Sequence, residues 1–115
     1  MERNGTEKSL FIELFGESPT IKVLDYLLTE RELDFSISDM ARNADIGRAT
    51  LYRIWEDLIT NSIIIHTRVV GKSKLYKLNI NNPKIKKLIE IDDMLVIDEF
   101  MSKAEKHKPK IKVAV

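Results

Sequence analysis

The sequence contains no cysteine, and its 115 residues include only two histidines, His66 and His107. Without cysteine there is no disulfide, no thiolate nucleophile and no cysteine-ligated zinc. No apolar run approaches the roughly 20 residues that a transmembrane helix requires. The first four residues, Met1-Glu2-Arg3-Asn4, also lack the apolar core of a signal peptide. We therefore expect a cytoplasmic protein with no membrane partner.

Neither sign of charge dominates, since 19 Lys and Arg face 18 Asp and Glu and leave a formal net charge of +1. This balance excludes a polybasic nucleic-acid coat and an acidic tail protein. It is nevertheless a sum over two unlike halves. Residues 1–60 hold 7 basic and 12 acidic side chains, whereas residues 61–115 hold 12 basic and 6 acidic ones. An apolar fraction of 43% is ordinary for one folded domain of this length.

Apolar spacing and turn residues predict the order of the elements. Residues 7–15 have a helical apolar pattern that ends at Gly16, and Ser18-Pro19 has the form of a helix start. Ser36 and Asp39 form a capping box, in which each side chain reaches the other's backbone amide. Further segments follow along the chain: a helix at about 19–30, a short helix at about 37–44, a turn over 43–47, a third helix at about 48–60, strands over 63–70 and 75–80 around a turn at 71–74, and a last helix at about 83–104 with a Lys-rich tail.

Single residues mark several of these boundaries. We expect Gly47 to be the N-cap of the third helix and Asn61 to take the left-handed conformation that ends it. Asn82 should cap the last helix before Pro83. Within the third helix, the spacing of Leu51, Trp55, Leu58 and Ile59 predicts one buried stripe, with Trp55 in the core rather than exposed as a stacking platform.

Two short helices joined by a tight turn and followed by a hairpin form the core of a helix-turn-helix unit with a wing. Three segments carry a closer resemblance: Ser36-Ile37-Ser38-Asp39-Met40-Ala41, Gly47-Arg48-Ala49-Thr50-Leu51-Tyr52-Arg53, and Leu58-Ile59-Thr60-Asn61-Ser62-Ile63-Ile64. On these residues the chain resembles the winged helix-turn-helix transcription regulators, most closely small archaeal-type ones, from about residue 18 to residue 79. Family members often have Ser or Thr in place of Gly47, and Gly in place of Asn61 or Ser62.

The resemblance implies a mainly α fold with a small β-hairpin (α+β), a winged helix-turn-helix with extra helices at both ends. We expect a DNA-binding domain over 18–81, an N-terminal helix over 1–17 that could take part in a dimer contact, and a dimerisation helix with a basic tail over 82–115. The implied function is sequence-specific binding of double-stranded DNA by a homodimer that regulates transcription. The alternative is a winged helix that binds another protein in a transcription or chromosome-associated complex.

The third helix is the expected recognition helix. If Leu51, Trp55 and Leu58 face the core, the outward side and the first turn present the candidate DNA-binding residues, which are Arg48, Ala49, Thr50, Tyr52 and Arg53. Arg is the side chain suited to paired contact with guanine O6 and N7. The competing interpretation is an ordinary solvated face.

The hairpin lies in a stretch with only one sign of charge. Residues 58–89 contain seven basic side chains and no acidic one. A wing in this stretch would bring Arg68, Lys72, Ser73 and Lys74 to the DNA backbone, with its tip near a minor groove. The competing interpretation is that the lysines discourage edge-to-edge pairing of the strands.

The last helix is apolar on more than one stripe, which predicts burial on several sides. We expect a second copy of the chain to cover part of it, together with the N-terminal helix. The candidate interface residues are Leu10, Phe11, Leu14, Leu88, Ile91, Leu95 and Phe100. The alternative is that both terminal helices fold back on their own domain.

The last helix carries several acidic side chains, but their spacing does not favour a metal or catalytic site. Asp92 and Glu99 share a helix face but lie two turns apart, about 10 Å along the axis. A solvated face is the simpler expectation for this group. The sequence also lacks a glycine-rich phosphate loop and a Ser-His-Asp set. We expect no enzyme activity, no metal and no cofactor, and the sequence does not identify a small-molecule effector.

Overall fold

A computed structural model describes residues 8–107 of the chain, and the side chains of residues 8–104. In this range the helices are α1 (Leu10–Phe15), α2 (Pro19–Thr29), α3 (Ile37–Ala44), α4 (Arg48–Thr60) and α5 (Pro83–His107), and the strands are β1 (Ile64–Val70) and β2 (Ser73–Leu78). The order is the predicted one. The first helix begins at Leu10, after its N-cap Ser9, and not at residue 7 as expected. Of the Lys-rich tail expected over 107–115, His107 ends α5, and residues 108–115 lie outside the described residues.

Serine caps begin the first three helices. The hydroxyls of Ser9, Ser18 and Ser36 each accept a hydrogen bond from the amide three residues later, at 3.1, 3.2 and 3.1 Å. At α3 the predicted capping box is confirmed. Arg42, and then the side chain and backbone of Ser36, hydrogen-bond the Asp39 carboxylate and lower its pKa. These caps satisfy amide groups that have no partner inside the helix.

The helix ends differ from expectation at one place. Asn61 has φ −86°, and the left-handed residue is Ser62 with φ 56°. The prediction for Asn61 was therefore wrong. Its backbone amide and its side-chain amide both donate to the carbonyl of Asp57, at 3.0 and 2.9 Å, so the helical path continues one residue further. Asp45, at the end of α3, is also left-handed with φ 61°.

Asn82 joins the start of α5 to the end of α4. Its side-chain oxygen accepts from the amide of Lys84 at 2.9 Å, which confirms the expected cap. Its side-chain nitrogen donates to the carbonyls of Asn61 and Ser62, at 3.1 and 3.0 Å. The last turn of α4 and the first turn of α5 therefore share one side chain.

The hairpin is antiparallel, with Ile64 opposite Leu78 and Val70 opposite Ser73. Its turn consists of Gly71 and Lys72 alone, shorter than the predicted 71–74, because Ser73 and Lys74 already belong to β2. Gly71 has φ 61°, a conformation that favours glycine at the first position of a two-residue turn. A β-bulge interrupts β1 between His66 and Arg68.

One core fills the space between α2, α3, α4, the inner side of the hairpin and the first turns of α5. It consists of Phe11, Val23, Leu24, Leu27, Leu28, Phe35, Met40, Ala41, Ala44, Leu51, Leu58, Ile64, Leu78 and Ile85. Trp55 packs against this core and meets Tyr76 edge to face at 4.9 Å, in agreement with prediction. Ile59 was expected in the buried stripe but is 39% exposed, because Leu51 and Leu58 already point to the centre of the core.

The junction of α1, α2 and α5 contains buried carboxylates. Ser9 donates to Asp25 at 2.8 Å, and Arg31 contacts Asp92 at 3.2 Å and Asp93 at 3.1 Å. Asp92 is 6% exposed, so the expectation of a solvated acidic face was wrong for this residue. Burial raises the pKa of Asp92, and the opposing charge of Arg31 lowers it. Asp92 lies at this junction beside residues of α1 and α2 and is covered, whereas Asp93 stays exposed.

Two further findings concern residues 8–107. No helix among them is long and apolar enough to cross a bilayer. The His, Asp and Glu side chains of residues 8–104 do not form a group of three that could hold a metal ion.

Candidate nucleic-acid interface

The turn between α3 and α4 fixes how α4 leaves the body. The Ile46 amide donates to the Ala41 carbonyl at 3.0 Å, and Ile46 packs against the core. From α2, the ammonium group of Lys22 donates to the Asp45 carbonyl at 2.8 Å. Below the turn, buried Leu51 and Leu58 set the rotation of α4 about its axis. The outward face of α4 is therefore determined by packing.

That outward face carries the predicted residues of the third helix. Arg48, Ala49, Tyr52 and Arg53 are exposed, and Thr50 is half-buried. Tyr52 is 52% exposed, which is a large fraction for an aromatic side chain. Arg48 donates to the Tyr52 hydroxyl at 3.5 Å and Arg53 to the Thr50 hydroxyl at 3.3 Å. Both guanidinium groups therefore bond to hydroxyls of their own helix.

The first turn of α4 also presents backbone amides. Gly47 is the N-cap, as predicted, and it supplies no side-chain hydrogen bond. The amides of the first turn are therefore left to solvent or to an anion. Arg48 stands beside them, so this end of the helix is positive through both its backbone and its side chain.

The tip of the wing carries three of the four predicted wing residues. Lys72 occupies the turn, Ser73 and Lys74 open β2, and all three are exposed. Val69 and Val70, at the end of β1, are 57% and 50% exposed. The tip is therefore basic with an apolar edge. Such a surface is suited to a phosphate backbone and to the floor of a minor groove.

Arg68, the fourth predicted wing residue, is engaged within the protein. Its Nε and Nη2 donate to the two carboxylate oxygens of Asp34, at 2.9 and 3.2 Å. The Thr67 hydroxyl donates to the same carboxylate at 2.7 Å. These bonds from Arg68 and Thr67 lower the pKa of Asp34 to about 2. Next to Asp34, the backbone of Phe35 exchanges hydrogen bonds of 2.7 and 2.8 Å with Tyr76 in β2.

Sequence reasoning missed Asp34. It lies in a polar link between two helices, and nothing in that link indicates a contact with a strand 33 residues later. The bulge in β1 was missed for the same reason, because an extra residue in one strand is visible only once the partner strand is known. The two features form one site, at which the wing meets the start of the helix-turn-helix.

The candidate dimer residues divide into two groups. Leu14 and Phe100 are 60% and 69% exposed, and Ile91 is 36% exposed. Leu10 is half-buried, and Leu88 and Leu95 pack against the core of their own chain. Phe11 is 2% exposed and contacts Phe15 with ring centroids 4.8 Å apart. This corrects the assignment of Phe11 to an intermolecular surface, because α1 folds back on α2 and α5 and buries that side chain within the chain.

Within residues 8–104, no element covers the outer side of α5. Met94, Val96, Ile97, Phe100 and Met101 are each between 54% and 69% exposed. Soluble proteins seldom expose contiguous apolar surface of this kind without a partner for it. α5 thus has an inner side that packs against its own chain and an outer side that is exposed in the described residues.

Comparison with solved structures identifies the fold. A possible transcriptional regulator from Methanosarcina mazei Go1 aligns with a TM-score of 0.51 and 13% identity, over 80% of each chain. ZitR of Lactococcus lactis, in its apo form, aligns with a TM-score of 0.58 and 16% identity, over 84% of this chain and 75% of that one. The adhesin competence repressor AdcR of Streptococcus pyogenes gives 0.58 and 11%, over 86% and 75%.

No family model matches the sequence, and no curated protein matches it. The likeness to these regulators is therefore one of structure, and at such identities it establishes the fold alone. The chain has the winged helix-turn-helix fold, α+β with the two-stranded hairpin as its wing, as its sequence predicted.

Proposed function

We propose that the chain is a regulator of transcription that binds specific double-stranded DNA sites as a homodimer. The observation that carries the proposal is the position of two cationic surfaces on neighbouring elements. The exposed face of α4, with Arg48 and Arg53, is followed directly by the wing with Lys72 and Lys74. The winged-helix fold supports the same function through its likeness to transcriptional regulators.

In this proposal α4 enters the major groove and reads base edges. Arg53 is the principal reader, because a guanidinium group can donate two parallel bonds to one guanine. Thr50 holds Arg53 from one side at 3.3 Å, which limits the rotamers the free side chain samples. Arg48 and Tyr52 adjoin it and share a contact of their own, while Ala49 leaves room for a close approach to the bases.

The wing supplies affinity that does not depend on sequence. Lys72, Ser73 and Lys74 are exposed at the tip and are suited to phosphate contacts. Each Lys that neutralises a phosphate adds about one unit to the salt dependence of binding.

The homodimer is proposed from the outer side of α5. A second copy would cover the apolar surface from Ile91 to Met101 in a two-fold arrangement, where the same patch serves both subunits. Two copies of α4 would then lie about one helical turn of DNA, roughly 34 Å, apart. In this scheme residues 18–81 bind DNA, and residues 1–17 and 82–115 support the dimer. Leu14 and Phe100 are the most exposed of the predicted interface residues.

The decisive experiment is selection of bound duplexes from a random pool, followed by affinity measurements on Arg53→Ala. Loss of a bidentate base contact should cost about 1–3 kcal/mol at one position of the site and relax the preference there. Lys72→Ala is the matched comparison. It should weaken all duplexes alike and reduce the salt slope by about one unit.

A wild-type protein that enriches no sequence would overturn the proposal of specific binding. An Arg53→Ala variant with unchanged sequence preference would instead show that α4 does not read bases. The exposed side of α5 is also the observation that favours the second candidate, a winged helix that binds a different protein. That function predicts little duplex affinity at moderate salt and a monomer in solution.

A further inference from the structure

Asp34 is the centre of a contact that ties the wing to the helix-turn-helix. Its carboxylate accepts three hydrogen bonds from two successive wing residues, one from the Thr67 hydroxyl at 2.7 Å and two from the Arg68 guanidinium at 2.9 and 3.2 Å. The Asp34 side chain is 17% exposed, although Arg68 is 63% exposed. The Asp34 side chain is thus partly buried. Two parallel bonds between guanidinium and carboxylate also fix the angle between their planes.

The bulge explains how Arg68 reaches Asp34. Before the bulge, Ile64 and His66 pair with Leu78 and Tyr76 and share their face of the hairpin. Strict alternation would put Arg68 on that face as well. After the bulge, Arg68 is opposite Leu75, which belongs to the other face. The extra residue therefore re-aims Arg68, a role that bulges often have near functional sites.

A second link lies beside the first. The backbone of Phe35 pairs with Tyr76 through two hydrogen bonds, so the chain next to Asp34 acts as a short third strand against β2. Ser36 then caps α3. Three consecutive residues thus contact β1, contact β2 and begin the helix-turn-helix. The wing is therefore bonded directly to the segment that begins α3.

We propose that Asp34 is a positioning residue for DNA binding, which holds the wing through Thr67 and Arg68 at the angle that lets the wing and α4 contact one duplex together. We call the contact of Asp34 with Thr67 and Arg68 the clamp. Arg68 is then part of the clamp and not a phosphate contact, and Lys72 and Lys74 make the phosphate contacts of the wing. This inference rests on the proposed function. Specific binding would then depend on Asp34, although Asp34 is an anion and would not contact the DNA.

The clamp should affect the affinity for a specific duplex and the affinity for unrelated duplexes differently, whereas loss of a simple phosphate contact would lower both. Because the clamp orders the wing before DNA binds, binding loses less conformational entropy, and specific affinity is higher. If Asp34 is neutralised, the wing loosens and Arg68 becomes a free cation. Specific affinity should fall, and affinity for unrelated duplexes should stay constant or rise.

The test uses Asp34→Asn, Arg68→Gln and the charge-exchanged double variant Asp34→Arg/Arg68→Asp, with Lys72→Gln as the matched phosphate-contact control. Affinities are measured over a range of salt for a selected duplex and for an unrelated one. We expect Asp34→Asn and Arg68→Gln each to weaken specific binding about tenfold. Arg68→Gln should leave the salt slope unchanged, whereas Lys72→Gln lowers it by about one unit. The exchanged pair should recover most of the lost specific affinity.

Hydrogen exchange of the free protein supplies a readout that needs no DNA. Wing amides should exchange faster in both single variants and regain protection in the exchanged pair, while α2 amides stay protected and show that the fold persists. Thr67→Val is a milder variant, and it should loosen the wing to a smaller extent.

Two results would overturn the inference. In the first, Arg68→Gln lowers the salt slope as Lys72→Gln does, and Asp34→Asn strengthens both complexes. Arg68 would then be a phosphate contact for which Asp34 merely competes. In the second, wing exchange is unchanged in Asp34→Asn. If the wild type binds no duplex, the proposed function fails, and the exchange data still decide whether the clamp exists.

Discussion

At the scale of single residues, the basic side chains of α4 and the wing differ in whether their charge faces solvent or pairs with a carboxylate of the same chain. Arg53 and Lys72 present their charge to solvent, whereas Arg68 satisfies a carboxylate of its own chain. The sequence treats these residues alike, since all three are basic side chains on an outward segment. Only the partner on another element distinguishes them. A count of basic residues therefore overstates the surface available to an anion.

The Asp34 clamp should have a characteristic dependence on pH. The bonds from Arg68 and Thr67 hold the pKa of Asp34 at about 2 in the folded protein, against an ordinary value of 3.8. A lowered pKa stabilises the fold above the ordinary value, and that stability is lost as the pH falls toward the folded value. The difference in free energy of unfolding between wild type and Asp34→Asn should therefore be constant above about pH 5 and shrink between about pH 4 and pH 2. Urea unfolding at a series of pH values measures it. A difference that already disappears near pH 5 would contradict the assignment.

At the scale of elements, most helix boundaries were predictable because caps are local chemistry. Ser18 and Ser36 bond amides three residues away, and no distant contact is needed to recognise them. The bulge in β1, the burial of Asp92 and the partner of Arg68 were not predictable. The bulge depends on the register between β1 and β2. The burial of Asp92 and the partner of Arg68 depend on contacts between residues more than 30 positions apart, which the local pattern does not indicate. The exposed face of α4 was also predictable, because the apolar stripe of the helix identifies the side that faces away from the core.

The link between α2 and α5 gives a prediction at this scale. Arg31 donates to the Leu28 carbonyl near the end of α2 at 2.9 Å and pairs with buried Asp92 on α5. Arg31→Met would leave the Asp92 carboxylate buried without its cation and should destabilise the fold by about 2 kcal/mol. Adding Asp92→Asn removes that buried charge, so the double variant should be more stable than Arg31→Met alone. Urea unfolding of the two single variants and the double variant gives the coupling energy. Additive effects would show that the two residues do not act as a pair.

At the scale of the whole molecule, the described residues leave the outer side of α5 as an exposed apolar surface. Packing satisfies the inner side of α5 through Ile85, Leu88 and Leu95, and α1 closes over part of it. The outer side, which includes Met94 and Phe100, contacts nothing within the described chain that would bury it. The sequence indicated the excess of apolar residues on this helix. It did not show which of them would pack within the chain, as Leu88 and Leu95 do.

Phe100→Glu should convert the proposed dimer to a monomer, because a carboxylate at the centre of an apolar contact between two copies would be buried without a partner. Sedimentation velocity at micromolar concentration measures the change. Leu33→Glu is the matched control, since Leu33 is 52% exposed on the link between α2 and α3 and is not among the proposed interface residues. It should leave the dimer intact. A wild-type protein that sediments as a monomer would rule out self-association as the cover for this surface.

The side chain shared by α4 and α5 makes α5 a lever in the proposed dimer. Asn82 holds the end of α4 to the start of α5 through the Asn61 and Ser62 carbonyls. α5 then runs for 25 residues, about 37 Å, with its uncovered surface toward the other end. A tilt of about 10° around that far end would carry Asn82, and α4 with it, through about 6 Å, close to two base-pair steps. The angle of one helix would thus decide the spacing of the two half-sites that the dimer can occupy together.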